Sequence, residues 1–323
     1  MESMPTPNRV TKTSAQTLCV GISPSSFADE DQTPLRLLEE AGVSIKMNSL
    51  KRRLTEDEIL EFIKGLDGLL AGLEPLSARV LSSAVPRLRA IARVGAGLDN
   101  VDLEAARALG IKVSNTPDAP SDAVAEMTLA AMLCLIRGLV PADRALHARQ
   151  WKKRIGRSLM GMTVLIIGYG RIGRRVGTLV KNFGADILVH DPAVSVDHLY
   201  AGETSVSLEE GLIRADLITL HASGNECILD AAAFQKMRDG VYLLNGARGG
   251  LVDEQALIEA LDSGKVAGAW FDTFAQEPYA GPLCDYDNVL LTPHVATYTR
   301  ECRRAMETAA VRNLLRDLGV PLR

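Results

Sequence analysis

Thr163-Val164-Leu165-Ile166-Ile167-Gly168-Tyr169-Gly170-Arg171-Ile172-Gly173 is an apolar run that ends in a Gly-x-Gly-x-x-Gly pattern. Three glycines at this spacing also serve ordinary turns, so the flanks decide the reading. Before them stands a buried-strand composition. After them Ile172, Val176, Leu179, Val180 and Phe183 recur at helical spacing. The next apolar run, Ile187-Leu188-Val189-His190, ends at Asp191, eighteen residues past Gly173. Strand, glycine turn, helix, strand and acid are the parts of a dinucleotide-binding unit. Gly168 permits the tight turn, Gly170 lets a diphosphate approach the backbone, and Gly173 lets helix and strand pack closely. The N–H groups at Arg171 and Ile172 open the helix at the positive end of its dipole, facing the phosphates. Asp191 is placed to accept hydrogen bonds from the adenosine ribose hydroxyls and to repel a 2′-phosphate. At an effective dielectric of 20, two unit charges at 4 Å repel by about 4 kcal/mol. The expected cofactor is therefore NAD, not NADP. The competing reading is a turn of the same shape with no ligand.

Outward from this stretch the chain alternates strands and helices. Downstream, strands are expected at Asp216–Leu220, Val241–Asn245, Val266–Phe271 and Val289–Leu291, after Thr163–Ile167 and Asp186–His190. A helix should start at Ser207-Leu208-Glu209-Glu210, a capping-box pattern, and a final helix should run from about Thr299 to Leu318. Upstream, strands are expected at Leu18–Gly21, Val43–Met47, Gly68–Ala71, Ala90–Val94 and Ile111–Ser114. A helix begins at the capping box Thr55-Glu56-Asp57-Glu58, and another runs from Asp102 to Leu109 and stops at Gly110. Strands separated by helices pair in parallel, so the fold class is α/β with two doubly wound parallel sheets. Ser121 to about Gln150 breaks the rhythm as a long, mostly apolar helical segment. It reads either as a buried core helix or as a connector that also packs on a second subunit. Residues 1 to about 16 read as a loose tail.

The composition limits the function classes. The 323 residues carry a formal net charge of −4, which argues against a nucleic-acid partner or a polybasic membrane anchor. Cys19, Cys134, Cys227, Cys284 and Cys302 are widely spaced and odd in number, which fits reduced thiols better than a disulfide frame or a metal site. The N-terminal residues lack a secretory apolar stretch. The run Met127–Ile136 is shorter than the roughly 20 residues a bilayer needs. A soluble, cytoplasmic protein with no membrane partner is expected.

Three stretches follow the carboxyl ends of downstream strands, the edge where such sheets bind ligands: Asn245-Gly246-Ala247-Arg248-Gly249-Gly250, Asp272-Thr273-Phe274-Ala275-Gln276-Glu277-Pro278 and Thr292-Pro293-His294-Val295-Ala296-Thr297. Singly, each has a dull explanation, and Asp253 reads as a helix N-cap. Beside a nicotinamide site they supply a cation for a carboxylate, a proton donor and an acid that tunes it. Reduction of a 2-oxo acid needs those three.

The chain resembles the D-isomer-specific 2-hydroxyacid dehydrogenases from about Leu18 to the final helix. The likeness is carried by Arg93-Val94-Gly95-Ala96-Gly97-Leu98-Asp99-Asn100-Val101-Asp102, Asn115-Thr116-Pro117, Val124-Ala125-Glu126, the Gly168 loop, Ala247-Arg248-Gly249-Gly250-Leu251-Val252-Asp253-Glu254 and Thr292-Pro293-His294. The resemblance implies a Rossmann cofactor domain, 118–298, inserted into a flavodoxin-like substrate domain built from 1–117 and 299–323, with a cleft that closes by hinge motion. It implies a catalytic triad of Arg248, Glu277 and His294. Arg248 would bind the substrate carboxylate and polarise the 2-oxo group, His294 would deliver the proton, and Glu277 would hold the imidazole and favour its protonated form. The backbone N–H groups of Val94, Gly95, Ala96 and Gly97 would meet the substrate carboxylate. Asp272 would meet the nicotinamide amide, and Gly246 and Ala247 would line the cofactor. A homodimer built partly on Glu126–Ile136 is also implied.

There are departures. His221-Ala222-Ser223-Gly224-Asn225-Glu226-Cys227 is shorter than the usual loop and lacks its proline, and Asp118 and Pro120 replace common glycine and asparagine. The loop Gly72-Leu73-Glu74-Pro75 lacks the Arg-Ser pair of phosphoglycerate dehydrogenases, while Lys51-Arg52-Arg53 could reach an anionic tail or simply be solvated. The expected substrate is a small 2-oxo acid such as hydroxypyruvate or glyoxylate. Phosphohydroxypyruvate or another anionic 2-oxo acid stands behind it, and an NADH-responsive co-repressor-like binding protein is the alternative of another class.

Overall fold

A computed structural model describes residues 17–321; the expected N-terminal tail lies outside them. The chain divides into two compact units. The first runs to Val94, takes up Asn100–Asn115 and resumes at Glu307; the second holds Gly95–Asp99 and Thr116–Met306.

In the first unit five strands alternate with helices: β1 (Cys19–Ile22), α1 (Thr33–Glu40), β2 (Ser44–Met47), α2 (Glu56–Phe62), β3 (Gly68–Ala71), α3 (Ala78–Ala84), β4 (Ala90–Arg93), α4 (Leu103–Ala108) and β5 (Lys112–Ser114). The sheet order is β2-β1-β3-β4-β5. All its pairings are parallel, and this is the flavodoxin-like order. β3 and β4 are buried at every position, as strands covered on both faces must be. The capping box of α2 is complete: Glu58 N–H donates to Thr55 Oγ1 (3.3 Å) and Thr55 N–H donates to Glu58 Oε2 (2.9 Å). Asp102 caps α4 through Ala105 N–H.

The second unit begins with α5 (Ser121–Arg137) and α6 (Leu139–His147). The single long helix expected here is broken at Gly138, which takes the left-handed conformation (φ 59°), and the two pieces diverge by 63°. The break divides the two readings of this segment. α5 buries Ala125, Ala131, Met132 and Ile136 in a cluster with Val164, Ile166 and Trp270, whereas α6 buries nothing and exposes Leu139 and Leu146.

There follow β6 (Thr163–Ile167), α7 (Arg171–Asn182), β7 (Asp186–His190), β8 (Glu203–Ser205), α8 (Leu208–Arg214), β9 (Leu217–Leu220), α9 (Ala231–Lys236), β10 (Val241–Asn245), α10 (Glu254–Asp262), β11 (Val266–Phe271), β12 (Val289–Leu291) and α11 (Arg300–Leu318). The order is β12-β11-β10-β9-β6-β7-β8. All pairings are parallel, the Rossmann arrangement with one strand added.

Two expectations are corrected. β8 was not foreseen, because an edge strand of Glu-Thr-Ser carries no apolar run. At Ser207 only half of the capping box forms: Glu210 N–H donates to Ser207 Oγ, while the Glu210 carboxylate turns to Arg214 at 2.5 Å. Asp253 caps α10 as expected. α11 contributes residues up to Met306 to the second unit and the rest to the first, where the sequence boundary stood at 299. Among the described residues no single helix is long and apolar enough to cross a membrane.

Candidate active site

Because every strand of the second sheet is parallel, the ends of β6, β9, β10, β11 and β12 open on one edge. The strand order reverses between β6 and β9, the place where open α/β sheets bind ligands. Gly168 turns there with φ 88°, and a Cβ on it would collide with the backbone of His221 and Ala222. A Cβ on Gly173 would collide with the Gly168 carbonyl, whereas one on Gly170 would meet nothing within 4 Å. The first glycine and the third are thus required by the fold, and the second guards open space. α7 starts at Gly170 with no side-chain cap, so its first N–H groups remain for an anion. Arg171 is exposed and pairs with Asp118; Ile172 is half-buried against the core of this unit. Asp191, at the end of β7, accepts the Tyr169 N–H on Oδ2 (2.7 Å) and the Ala193 N–H on Oδ1 (2.9 Å). It therefore braces the glycine loop.

The loop after β12 is built around a buried carboxylate. Asp272 Oδ1 accepts the Thr292 hydroxyl (2.6 Å) and the Val295 N–H (2.9 Å), and Oδ2 accepts the Ala296 N–H (2.9 Å). Trp270 Nε1 donates in turn to Thr292 Oγ1. Between these anchors His294 adopts φ 56°, a costly conformation for a non-glycine residue that the surrounding bonds hold in place. Its Nδ1 lies 3.0 Å and 3.1 Å from the two oxygens of Glu277, so Nε2 is the ring nitrogen that this carboxylate does not engage. Glu277 is itself steadied by the Phe274 N–H.

Arg248, after β10, is held on three sides. Nε and Nη2 both contact Asp99 Oδ2 at 2.7 Å, and Nη1 donates to the Ala247 carbonyl. The guanidinium lies across Gly97, where any Cβ would strike Nη2. Asn245 fixes the turn beneath, donating to the Arg248 carbonyl and accepting the Ala247 N–H.

The model of the D-isomer specific 2-hydroxyacid dehydrogenase NAD binding domain matches residues 129–296. A hydroxypyruvate reductase of Thermotoga maritima is 34% identical over 301 residues, covering 90% of this chain and 96% of that protein. The chain belongs to the D-isomer-specific 2-hydroxyacid dehydrogenases. A D-3-phosphoglycerate dehydrogenase of Methanocaldococcus jannaschii is 37% identical over 292 residues, covering 88% of this chain and 55% of that one; the chain spans about half the length of such relatives. A glyoxylate reductase structure from Paecilomyes thermophila superposes with a TM-score of 0.83 at 29% identity, covering 94% of this chain and 96% of that one.

Dehydrogenases of this family are NAD-dependent oxidoreductases acting on CH–OH groups, and the glycine loop here fits that cofactor. Open space above Gly170, the uncapped start of α7 and a buried, unpartnered His221 Nδ1 beside the turn leave polar groups for a ligand. Burial pushes the His221 imidazole down to about 3, so it stays neutral. Its Nε2 is taken by Thr219 Oγ1.

Of the four loop amides expected on the substrate carboxylate, two are corrected. Val94 N–H donates to Ala71 O as a continuation of the sheet ladder, and Gly95 N–H donates to Thr116 Oγ1. Asp272, expected on the nicotinamide amide, has both oxygens drawn into the His294 loop. Gly246 packs on the Trp270 ring, and Ala247 is buried. Asp99, Thr116 and Asn245 were not foreseen as site residues; charge and amide patterns point to such partners only once the chain is folded.

Proposed function

We propose that this dehydrogenase reduces a small 2-oxo acid, of the hydroxypyruvate or glyoxylate type, to its D-2-hydroxy acid. The observation that carries the reading is the His294–Glu277 pair, which seats an imidazole by Nδ1 and presents Nε2 as a proton donor. Arg248 binds the substrate carboxylate and polarises the keto oxygen, with the Gly97 amide on the same carboxylate. His294, protonated, hands its Nε2 proton to the keto oxygen, and Glu277 keeps the ring oriented and balances its charge. Bound NADH supplies the hydride that reduces C2. The oxo acid, NADH and one proton thus become hydroxy acid and NAD.

Arg52 supports a small substrate over a phosphorylated one. Its guanidinium is bound to Glu58 by both terminal nitrogens, at 2.8 Å and 2.5 Å, which favours the solvated reading of Lys51-Arg52-Arg53. The loop after β3 offers Glu74, a buried carboxylate bonded to Ser23 and Gly72, instead of a cation. The likeness to phosphoglycerate dehydrogenases keeps 3-phosphohydroxypyruvate as the second substrate to test. A cytoplasmic homodimer is part of the reading. Leu139, Leu146, Trp151, Ile155 and Met160 are all exposed along one short stretch, Trp151 at 80% and Ile155 fully, and a second copy covering them would remove that apolar area from water.

NADH oxidation should be followed with hydroxypyruvate, glyoxylate, pyruvate and 3-phosphohydroxypyruvate, with His294→Ala as control and the product's configuration determined. Turnover lost in the variant supports the reading. No turnover of any oxo acid, or turnover unchanged by the variant, removes it in favour of an NADH-responsive binding protein.

A further inference from the structure

We infer that Asp99 is the positioning partner of Arg248, holding the guanidinium against the Gly95–Asp99 loop so that cation and loop amides act on one substrate carboxylate; this rests on the reductase reading above. Arg248 has five N–H groups in a planar fork. Nε–H and one Nη2–H go to Asp99, and one Nη1–H goes to Ala247 O. Two N–H groups remain, and the Asp99 contact fixes the direction in which they point. Without it the long side chain would be tethered only by its own neighbouring carbonyl and would have to be ordered by each incoming substrate.

The loop that carries Asp99 is itself fastened. Gly95 exchanges two bonds with Thr116, its N–H to Thr116 Oγ1 at 2.8 Å and its carbonyl to Thr116 N–H at 2.9 Å. Gly95–Asp99 also belongs to the same compact unit as Arg248. One end of the loop is held by Thr116 and the other by Arg248, with Ala96 and Gly97 between them. Gly97 completes the arrangement, since only a residue without Cβ lets the guanidinium lie across it. The pair is partly open to solvent, with side-chain exposures of 33% for Arg248 and 50% for Asp99. It therefore adds little to folding stability, and its value lies in aiming the cation.

Asp99→Asn and Gly97→Ala should be compared with the unaltered protein in steady-state reduction of hydroxypyruvate, beside thermal melting and NADH titration. Misaiming a substrate-binding group costs roughly 10- to 100-fold. Asp99→Asn should raise KM for hydroxypyruvate and lower kcat/KM by about that factor, with KM for NADH and the melting midpoint unchanged. Gly97→Ala should move KM for the oxo acid in the same direction. Unchanged oxo-acid kinetics in either variant overturns the inference while leaving the reductase reading intact. So does a loss in Asp99→Asn that affects NADH and melting equally. An unaltered protein that turns over no oxo acid overturns both.

Discussion

Glu277 receives Nδ1 of His294 on both carboxylate oxygens, at 3.1 Å and 3.0 Å, and one of those oxygens also receives the Phe274 N–H. The ring is thus held by an acid that is itself held. Glu277→Gln keeps the shape and removes the charge opposite the imidazolium. It should lower kcat for oxo-acid reduction by roughly 100-fold or more, the scale of a lost acid–base contribution, without weakening NADH binding. Reduction consumes the protonated ring and oxidation consumes the neutral one. His294→Ala should therefore abolish turnover in both directions while leaving NADH binding intact. Steady-state rates in both directions beside an NADH titration test this, and turnover that persists in His294→Ala would assign the proton transfer elsewhere.

The second and third glycines of the β6–α7 loop should respond differently to alanine. A Cβ on Gly173 would strike the Gly168 carbonyl, while a Cβ on Gly170 meets only open space. Gly170 lies outside the left-handed region (φ −76°), so alanine there is not strained. Gly170→Ala should therefore melt like the unaltered protein yet bind NADH about tenfold or more weakly, because the methyl occupies the room a diphosphate needs. Gly173→Ala should lose both affinity and melting temperature. Fluorescence titration with NADH beside a thermal melt separates the two; equal affinity in Gly170→Ala would place the diphosphate elsewhere.

Asp191 should set the coenzyme preference. It stands at the end of β7 and braces Tyr169 and Ala193, so its charge is fixed near the glycine turn. A 2′-phosphate brought to about 4 Å of it would be repelled by about 4 kcal/mol per unit charge pair at an effective dielectric of 20. NADH should be preferred over NADPH by at least tens-fold in kcat/KM. Asp191→Ser should shrink that ratio, chiefly by improving NADPH. A ratio unchanged by the substitution would show that another group reads the ribose.

The parts of this fold that could be read from sequence are those where local chemistry and tertiary burial agree. β6, β7, β10, β11 and β12 follow their expected limits to the residue; each carries an apolar run, buried in β6, β7, β10 and β11 and half-buried in the edge strand β12. β8 lies at the sheet edge with Thr204 and Ser205 in solvent, so nothing in Glu-Thr-Ser required apolar character. The break at Gly138 was hidden because apolar residues continue on both sides of it. Among site residues, His294 and Glu277 are seventeen positions apart and were paired by resemblance. The Asp99–Arg248 contact spans 149 positions and depends on how the Gly95–Asp99 loop closes, which no local pattern encodes. The same closure takes Val94 N–H into the sheet and Gly95 N–H onto Thr116.

Asp216 ties the start of β9 to the start of β6, and its stabilising effect should depend on acid. Burial opposes its ionisation, but the Thr163 N–H (3.0 Å), Arg157 (3.1 Å) and Arg238 (3.2 Å) outweigh burial, and its pKa is lowered. A carboxyl whose pKa is depressed by folding contributes fully above its unfolded pKa, about 3.9 for aspartate, and loses that contribution as pH falls through the folded value. Asp216→Asn keeps one acceptor and loses the charge. At neutral pH it should cost about 1–3 kcal/mol, the range for hydrogen bonds to charged groups that are mostly buried. The deficit should hold steady from neutral pH down to the ordinary aspartate range, then shrink below it as the native carboxyl takes up its proton. Urea midpoints for both proteins at neutral pH and at successively lower pH measure this. A deficit of constant size down to the most acid condition would mean that the charge on Asp216 contributes nothing, and that the substitution acts only through packing.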